Sequence, residues 1–239
     1  MTLKKYIPDM LTAMNIVCGL VGVVFVLHHR LDIAFYCMLA AAVFDFLDGF
    51  AARLLKAYSD LGKELDSLCD LLSFGFLPAL MLCELMRTYR FDSGWICWLP
   101  LVLTVFSALR LAKFNVDDRQ TAGFLGLPTP AAALLCGALC CYCCFTPLEF
   151  LSIWVSGPVF VPLLALCLSL LLVCEAPMFS FKMHRDDGRT LWTKRLTLVA
   201  FFLAAALLCL IAGHHWSLTV VLGLLFYIVN NLVYALFKI

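Results

Sequence analysis

The chain has 239 residues, of which 64% are hydrophobic and only 14% are charged, and its formal net charge is +1. Soluble domains are roughly half apolar, so this composition excludes a water-soluble globular protein and predicts a polytopic membrane protein. Nothing in the charge balance predicts a nucleic-acid partner.

Eight apolar segments follow one another along the chain, each with roughly the 20 residues that a helix needs to cross the hydrocarbon of a bilayer. Helices are the expected form because lipid offers the backbone no hydrogen-bond partners. We therefore predict an all-α bundle of about eight transmembrane helices that forms a single membrane domain over residues 1–239. The predicted segments are 9–28, 31–50, 66–86, 93–112, 129–149, 155–178, 194–212 and 216–237.

The basic residues are distributed unevenly between the two ends of these segments. Eight crossings place both termini on one side, and 14 of the 17 Lys and Arg residues then lie on that side; the others are Arg30, Arg87 and Arg90. Because basic loops remain in the cytoplasm, we predict that both termini are cytoplasmic. The predicted cytoplasmic loops are 51–65, 113–128 and 179–194.

The 13 cysteines lie almost entirely inside apolar segments. The cluster CCYCC at 140–144 raises the question of a metal site, but no histidine or second cysteine pair accompanies it. Cysteine in an apolar segment usually packs as a small hydrophobic side chain. We therefore favour packing as the role of this cluster.

Four aspartates stand near the cytoplasmic ends of the second and third segments. Asp45 and Asp48 are three residues apart, and Asp66 and Asp70 are four apart, so each pair lies on one face of its helix. Two antiparallel neighbouring helices would bring the four carboxylates together. They then require either protonation or bound cations. Oxygen-only ligands favour Mg²⁺ or Mn²⁺, and two such ions can assist a displacement at phosphorus.

The residues between the aspartates fit a phosphate-containing ligand. Gly49 and Ala52 leave room beside the helix backbone, and Arg53 could reach a phosphate as a fork of donors. Gly62 is expected to permit a tight reversal between the two helices. The alternative is that the carboxylates pair with nearby basic residues as a solvated rim, which explains charge near a loop but not the helical spacing of four aspartates.

Eight fixed residues between Asp45 and Asp70 form the pattern DxxDGxxAR, followed by eight residues and then GxxxDxxxD. This pattern resembles the signature of the CDP-alcohol phosphatidyltransferase family, and all eight defining positions match. The resemblance implies a membrane enzyme that joins the phosphatidyl group of a CDP-activated lipid to an alcohol and releases CMP. It also implies two divalent ions, Mg²⁺ or Mn²⁺, as cofactors.

The resemblance further implies a homodimer in the cytoplasmic membrane of a bacterium, with the active site facing the cytoplasm. The catalytic core is expected over about 8–178 and an additional helix pair over about 194–237. The expected metal ligands are Asp45, Asp48, Asp66 and Asp70, with Asp70 also the general base; the expected CDP-lipid-binding residues are Gly49, Ala52, Arg53, Gly62 and Asn15.

Three further stretches resemble the serine-using members of the family. They are DSLCDLLSFGFLP at 66–78, RLAKFN at 110–115 and FLGLPTPAAA at 124–133. The resemblance implies that the donor is CDP-diacylglycerol, the acceptor is L-serine and the products are phosphatidylserine and CMP. The alternative within the family is another alcohol, such as glycerol phosphate or inositol.

Serine carries a carboxylate that requires a cation. Arg110 and Lys113 are three residues apart at the cytoplasmic end of the fourth segment. We expect one of them, foremost Arg110, to bind either the serine carboxylate or a phosphate of the CDP-lipid. The alternative is that both only anchor the helix end in the cytoplasm.

An ion or proton transporter is the alternative from another functional class, because buried acids also line ion paths. A transporter predicts acids spread through the depth of the membrane. Here the acids cluster at one end of the segments, and Glu84 and Glu175 are the main exceptions.

Overall fold

The structure is a computed structural model that describes residues 6–57, 59–88, 94–116, 124–146, 155, 157–178 and 189–237. Eight helices run through these ranges, and two two-residue strands pair in antiparallel register. The helices are α1 Tyr6–Leu27, α2 Leu31–Leu55, α3 Asp60–Thr88, α4 Gly94–Val116, α5 Thr129–Phe145, α6 Phe160–Val173, α7 Arg189–Ile211 and α8 Ser217–Phe237. The strands are β1 Phe124–Leu125 and β2 Pro177–Met178.

The predicted all-α membrane fold is confirmed. In the described part of the chain, five helices (α1 to α4 and α8) are long and apolar enough to cross a membrane. The other three, α5, α6 and the apolar part of α7, are shorter. Each of the eight overlaps one of the predicted segments.

Helix α3 lies at the centre of the bundle. In its most apolar window 72% of the residues are buried inside the protein, against 28% in each of the other four long helices. It packs against α1, α4 and α5, and α5 in turn packs against α2 and α8. Gly137 of α5 permits close packing on α2, because a Cβ there would overlap the side chains of Phe35 and Met38.

The cysteine cluster faces the core of the bundle. Cys140, Cys141 and Cys143 are buried, and Cys144 is exposed. Within the described ranges, no cysteine belongs to a group of side chains whose positions would suit a metal ion. This placement agrees with a packing role.

The prediction of a loop at 51–65 was wrong. Helix α2 continues to Leu55 and α3 begins at Asp60, so the connection is reduced to a turn. Lys56 adopts the left-handed conformation at φ 52° and ψ 41°, and the Ala57 amide donates to the Ala52 carbonyl at 3.0 Å. This is the hydrogen-bond pattern of a helix C-cap. Charged residues in this stretch reach water from a continuing helix and need no loop.

Helix α3 changes its geometry directly after Asp70. It is α-helical over Asp60–Asp70, π-helical over Leu71–Phe76 and α-helical again over Leu77–Thr88. The π turns were not predicted. Gly75 lies within them, and its carbonyl accepts a 3.2 Å hydrogen bond from the Thr104 hydroxyl of α4. Such π turns are frequent at functional sites.

The two longer predicted cytoplasmic loops are only partly described. Residues 117–123 and 179–188 lie outside the described residues, and α4 continues to Val116. Strands β1 and β2 join the described ends of these loops, with Phe124 opposite Met178 and Leu125 opposite Pro177.

Candidate active site

Helices α2 and α3 bring three of the four predicted aspartates together. Asp45, Asp48 and Asp66 each offer a carboxylate oxygen, and these oxygens all lie within 4.8 Å of one another. The pairing follows from the sequence spacing and from the short connection between Leu55, where α2 ends, and Asp60, where α3 begins. We call these three residues the acidic cluster.

Helix α1 orients the acidic cluster. The Thr12 hydroxyl donates a 2.6 Å hydrogen bond to Oδ2 of Asp48, and both side chains are buried. A carboxylate held in this way presents its remaining lone pairs in a fixed direction. No sequence motif pointed to Thr12, although it lies three residues before Asn15 and therefore on the same face of α1.

Asp70 lies beside the acidic cluster rather than within it. Its Oδ1 accepts a 3.2 Å hydrogen bond from the side-chain amide of Asn15, and Asp70 interacts electrostatically with all three members of the cluster. The Ser73 hydroxyl in the π turns donates to the Asn15 carbonyl at 3.3 Å. Asn15 is fully buried, so here it is a support for Asp70.

The acidic cluster has the donor set of a divalent cation site. All its ligand atoms are carboxylate oxygens, as Mg²⁺ and Mn²⁺ prefer. Among the described residues, Oδ1 of Asp66 is buried and has no hydrogen-bond partner. A buried carboxylate oxygen without a partner is costly unless something else satisfies it. The residues present therefore fit a hard metal ion.

A cavity of about 390 Å³ opens beside the acidic cluster between α1, α2 and α3. We call it the larger cavity. A Cβ added at Gly49 would meet no atom within 4 Å, so this glycine leaves open space for a ligand. The exposed Arg53 is held by a 2.9 Å hydrogen bond from its Nε to the Gly49 carbonyl. The predicted residues that line this cavity are Asp48, Gly49, Ala52, Arg53, Gly62 and Asp66.

The role expected for Gly62 in a tight reversal was wrong, because Gly62 lies in the first turn of α3. Its amide donates a 2.9 Å hydrogen bond to the hydroxyl of Ser59, the residue that caps the helix. A Cβ at this position would lie 2.9 Å from the Ser59 hydroxyl and 3.1 Å from a carboxylate oxygen of Asp9. Glycine at this position leaves room for the Ser59 and Asp9 side chains at the wall of the cavity.

A second cavity, of about 230 Å³, lies on the other side of Asp66 between α3, α4 and the start of α5. We call it the smaller cavity. Asp66 and Lys63 line both cavities, so the two meet at the edge of the acidic cluster. The smaller cavity also contacts Asp70 and Arg110.

Arg110 brings a buried positive charge to the smaller cavity. Only 7% of the residue is exposed, and its Nη1 donates a 2.9 Å hydrogen bond to the Thr129 hydroxyl. Its Nε is buried and has no hydrogen-bond partner among the described residues. A buried guanidinium with donor capacity left over is suited to an anionic ligand.

Lys113 does not line the smaller cavity. Its ammonium pairs with the Glu175 carboxylate at 3.2 Å, and both side chains are more than one third exposed. An ion pair of this exposure contributes about 0–1 kcal/mol. Of the two cations predicted for the acceptor, the structure therefore brings Arg110 to the cavity and holds Lys113 against Glu175.

Residues 5–162 match the CDP-alcohol phosphatidyltransferase family. The match spans about two thirds of the chain and includes the acidic cluster and Asp70. The chain therefore belongs to the CDP-alcohol phosphatidyltransferase family. Enzymes of this family transfer a phosphatidyl group from a CDP-activated lipid to an alcohol, and this chain is a membrane-embedded phosphatidyltransferase.

Several curated proteins with similar sequences carry the same name. A Bacillus subtilis protein named CDP-diacylglycerol–serine O-phosphatidyltransferase is 33% identical over 184 residues, which cover 77% of this chain and 96% of the relative. A Mycobacterium bovis protein of the same name is 36% identical over 215 residues, covering 84% of this chain and 70% of the relative. A Methanocaldococcus jannaschii protein of that name is 37% identical over 134 residues, covering 56% of this chain and 60% of the relative.

Proposed function

We propose that this enzyme transfers the phosphatidyl group of CDP-diacylglycerol to the hydroxyl of L-serine, giving phosphatidylserine and CMP. The observation that carries the proposal is the pair of cavities that meet at Asp66, one beside the acidic cluster and one beside Asp70 and Arg110. A transferase with two substrates needs two such sites in contact. The names of the relatives support serine as the acceptor.

The larger cavity takes the CDP part of the donor. Gly49 and Ala52 give the ligand access to the α2 backbone, and Arg53 offers guanidinium donors to phosphate. The lipid tails remain in the bilayer, while the nucleotide enters from water. Gly62 and Asn15 were also expected among the donor-binding residues; Gly62 lines this cavity, whereas Asn15 acts through Asp70.

The smaller cavity takes the acceptor, with Asp70 as general base. Asp70 removes the proton of the serine hydroxyl, and the serine oxygen forms a bond to the phosphorus of the phosphatidyl group. The bond between that phosphorus and the bridging oxygen of the pyrophosphate breaks, and CMP leaves with the bridging oxygen. A hydroxyl is a weak nucleophile, so a base within hydrogen-bond reach is required.

The acidic cluster and Asp70 hold the metal cofactor, which we propose to be two divalent ions, Mg²⁺ or Mn²⁺. When bound, the ions neutralise charge on the pyrophosphate that would otherwise repel the nucleophile. Thr12 and Asn15 fix the orientation of Asp48 and Asp70 before the substrates arrive. Fixing ligands through hydrogen bonds to neighbouring side chains raises metal affinity.

Arg110 binds the carboxylate of the incoming serine. Its buried charge, its Nε without a partner among the described residues and its position at the smaller cavity support this role. A guanidinium loses its hydrogen bonds to water when it is buried, and an anionic ligand replaces them. A phosphate of the donor lipid would meet the same chemistry.

The distribution of basic residues supports an active site at the cytoplasmic leaflet with both termini in the cytoplasm, and the family resemblance supports a bacterial cytoplasmic membrane. The catalytic core then extends over about 8–178, with the pair at 194–237 as an addition. The family resemblance supports a homodimer. Chemical cross-linking of the protein in native membranes tests the dimer, and protease protection of tagged termini tests the orientation.

The decisive experiment for the function is an assay of purified enzyme with CDP-diacylglycerol and a panel of alcohols, with CMP and lipid product both measured. We expect CMP release that depends on Mn²⁺ or Mg²⁺ and on serine. Dependence on glycerol phosphate or inositol instead would assign another acceptor. Ion flux into proteoliposomes without CMP release would contradict the enzyme function altogether.

The transporter alternative is not favoured by any contact in the described ranges. Glu84 is buried and accepts hydrogen bonds from His29 at 2.5 Å and Arg87 at 3.2 Å. This arrangement satisfies the carboxylate locally. It gives Glu84 a structural role at the opposite end of the bundle from the acidic cluster.

A further inference from the structure

The segment just before α5 is joined by two backbone hydrogen bonds to the last turn of α6 and to the residues that follow it. The Gly126 amide donates to the Ala176 carbonyl at 2.9 Å, and the Leu127 amide donates to the Leu171 carbonyl at 2.8 Å. The pairing of β1 with β2 extends the same connection. We call residues 124–127 the strap and residues 171–178 its anchor.

The strap depends on glycine at position 126. Gly126 has φ +78°, and a Cβ there would lie 2.7 Å from the carbonyl oxygens of Leu172 and Cys174. Those atoms are backbone at the C-terminal end of a helix, where carbonyls lack intrahelical partners. They cannot move aside as a flexible side chain would, so a side chain at position 126 displaces the strap.

The strap leads directly to the residue that holds Arg110. Leu127 is fully buried, Pro128 lines the smaller cavity and Thr129 begins α5 with no exposed surface. The Thr129 hydroxyl accepts the hydrogen bond from Nη1 of Arg110. The position of this hydroxyl, and with it the direction of the guanidinium, therefore depends on where the strap is anchored.

We propose that the strap and its anchor position the acceptor-binding guanidinium: they hold Thr129 against Arg110 and so set the affinity for the acceptor's carboxylate. Thr129 and Gly126 are positioning residues, since they act through Arg110. The inference rests on the proposed function of the smaller cavity. Arg110, Thr129 and the strap lie within the family match, which ends at residue 162, whereas the anchor lies beyond it.

The ion pair between Lys113 and Glu175 joins the same two regions but carries little of this effect. Both side chains are more than one third exposed, and pairs of that kind contribute weakly. The backbone hydrogen bonds of the strap and the buried Arg110–Thr129 contact are the determining interactions. The variants that test the proposal are therefore placed at positions 126 and 129.

The experiment compares the Michaelis constants for the two substrates in purified full-length variants. We expect Thr129→Val to raise the KM for serine about tenfold, because one hydrogen bond to a charged group is lost. The KM for CDP-diacylglycerol should stay within about twofold of the wild-type value. Thr129→Ser keeps a hydroxyl and should restore most of the serine affinity. A merely structural role of Thr129 would change both constants together.

Gly126→Ala tests the strap itself, and Gly213→Ala is its matched control. Gly213 also has positive φ, at +70°, but a Cβ there meets nothing within 4 Å. We expect Gly126→Ala to raise the serine KM at least fivefold, and Gly213→Ala to leave both constants unchanged. If Gly126→Ala does not fold, the two Thr129 variants still decide the question.

The outcomes separate this inference from the proposed function. Wild-type enzyme without serine-dependent CMP release contradicts the proposed function; the same comparison of constants is then made with whichever acceptor the alcohol panel identifies. The positioning role is overturned if the wild-type enzyme is active but Thr129→Val and folded Gly126→Ala keep the acceptor KM. It is also overturned if these variants lose affinity equally for both substrates.

Discussion

The side-chain amide of Asn15 donates a 3.2 Å hydrogen bond to Oδ1 of Asp70 across the interface between α1 and α3. Asn15 is fully buried, and Asp70 is 9% exposed. The bond engages one carboxylate oxygen of Asp70, and Asp70 also lines the smaller cavity. A general base must be held in one orientation to meet its proton, and this contact would provide that orientation in the role that we propose for Asp70.

Replacing Asn15 by Leu should lower kcat by about ten- to hundredfold, because a hydrogen bond to a charged group contributes about 1.5–3 kcal/mol. The KM for CDP-diacylglycerol should change little, since Asn15 acts on Asp70. Steady-state kinetics of CMP release measure both. Asn231→Leu is the matched control: its amide donates to the Tyr227 carbonyl of its own helix at 2.7 Å. Equal losses of kcat in the two variants would contradict the role of Asn15.

Replacing Asp70 by Asn should abolish turnover while CDP-lipid binding largely remains. The amide is nearly the same size but cannot accept the proton of the serine hydroxyl, and loss of a general base costs roughly 10²- to 10⁴-fold in rate. Single-turnover CMP release and equilibrium binding of the donor lipid measure the two effects separately. Full activity in Asp70→Asn would refute its assignment as base.

Replacing Asp66 by Asn should remove the stabilisation that Mn²⁺ gives to the protein. A ligand at a concentration 100 times its dissociation constant stabilises the folded state by about 2.7 kcal/mol. This stabilisation disappears when the substitution abolishes Mn²⁺ affinity. Thermal unfolding in detergent with Mn²⁺ or with a chelator measures the difference without reference to activity. Asp60→Asn is the matched control, because Asp60 is an exposed acid of the same helix outside the cluster.

The same variant makes a second, independent test of the acidic cluster. In chelator, Asp66→Asn should be at least as stable as the wild type, since it removes one carboxylate from a group whose oxygens lie within 4.8 Å of one another and which repel when ionised. An Mn²⁺ shift in Asp66→Asn as large as in Asp60→Asn would remove Asp66 from the set of metal ligands.

Replacing Arg110 by Ala should raise the KM for serine by about ten- to hundredfold, because a buried charged pair with the substrate carboxylate is lost. Arg110→Lys should recover only part of the affinity, since an ammonium cannot reproduce the planar fork of donors. Arg30→Ala, at the opposite end of the bundle and exposed, serves as control. An unchanged serine KM and kcat in Arg110→Ala would contradict the assignment.

Local sequence patterns were sufficient to predict the fold class and to single out the four aspartates of the candidate site. Hydropathy gave eight helices because the length of apolar sequence needed to cross a bilayer is a property of each segment alone. Helical periodicity placed Asp45 with Asp48, and Asp66 with Asp70, on common faces, since residues three and four apart always share a face. The family resemblance then connected these residues with phosphatidyl transfer.

Helix ends were less well predicted, because they depend on individual capping interactions. The left-handed conformation of Lys56 and the side-chain cap from Ser59 shorten the connection between α2 and α3 to a few residues. Charged side chains suggested a longer loop there, yet they extend to water from helical backbone. The π turns after Asp70 likewise depend on contacts with α1 and α4.

Segment length, periodicity and motif spacing are properties of neighbouring residues, so they were enough to predict an α-helical membrane enzyme and to propose functional roles for four aspartates. The folded chain was needed to show that Asp70 lies beside the other three aspartates and that Asn15 binds it from 55 positions away. It also showed that Arg110 donates to Thr129, whereas Lys113 pairs with Glu175. Such contacts join different helices. They are set by how close two backbones approach and by local changes of helix geometry, which no single segment encodes.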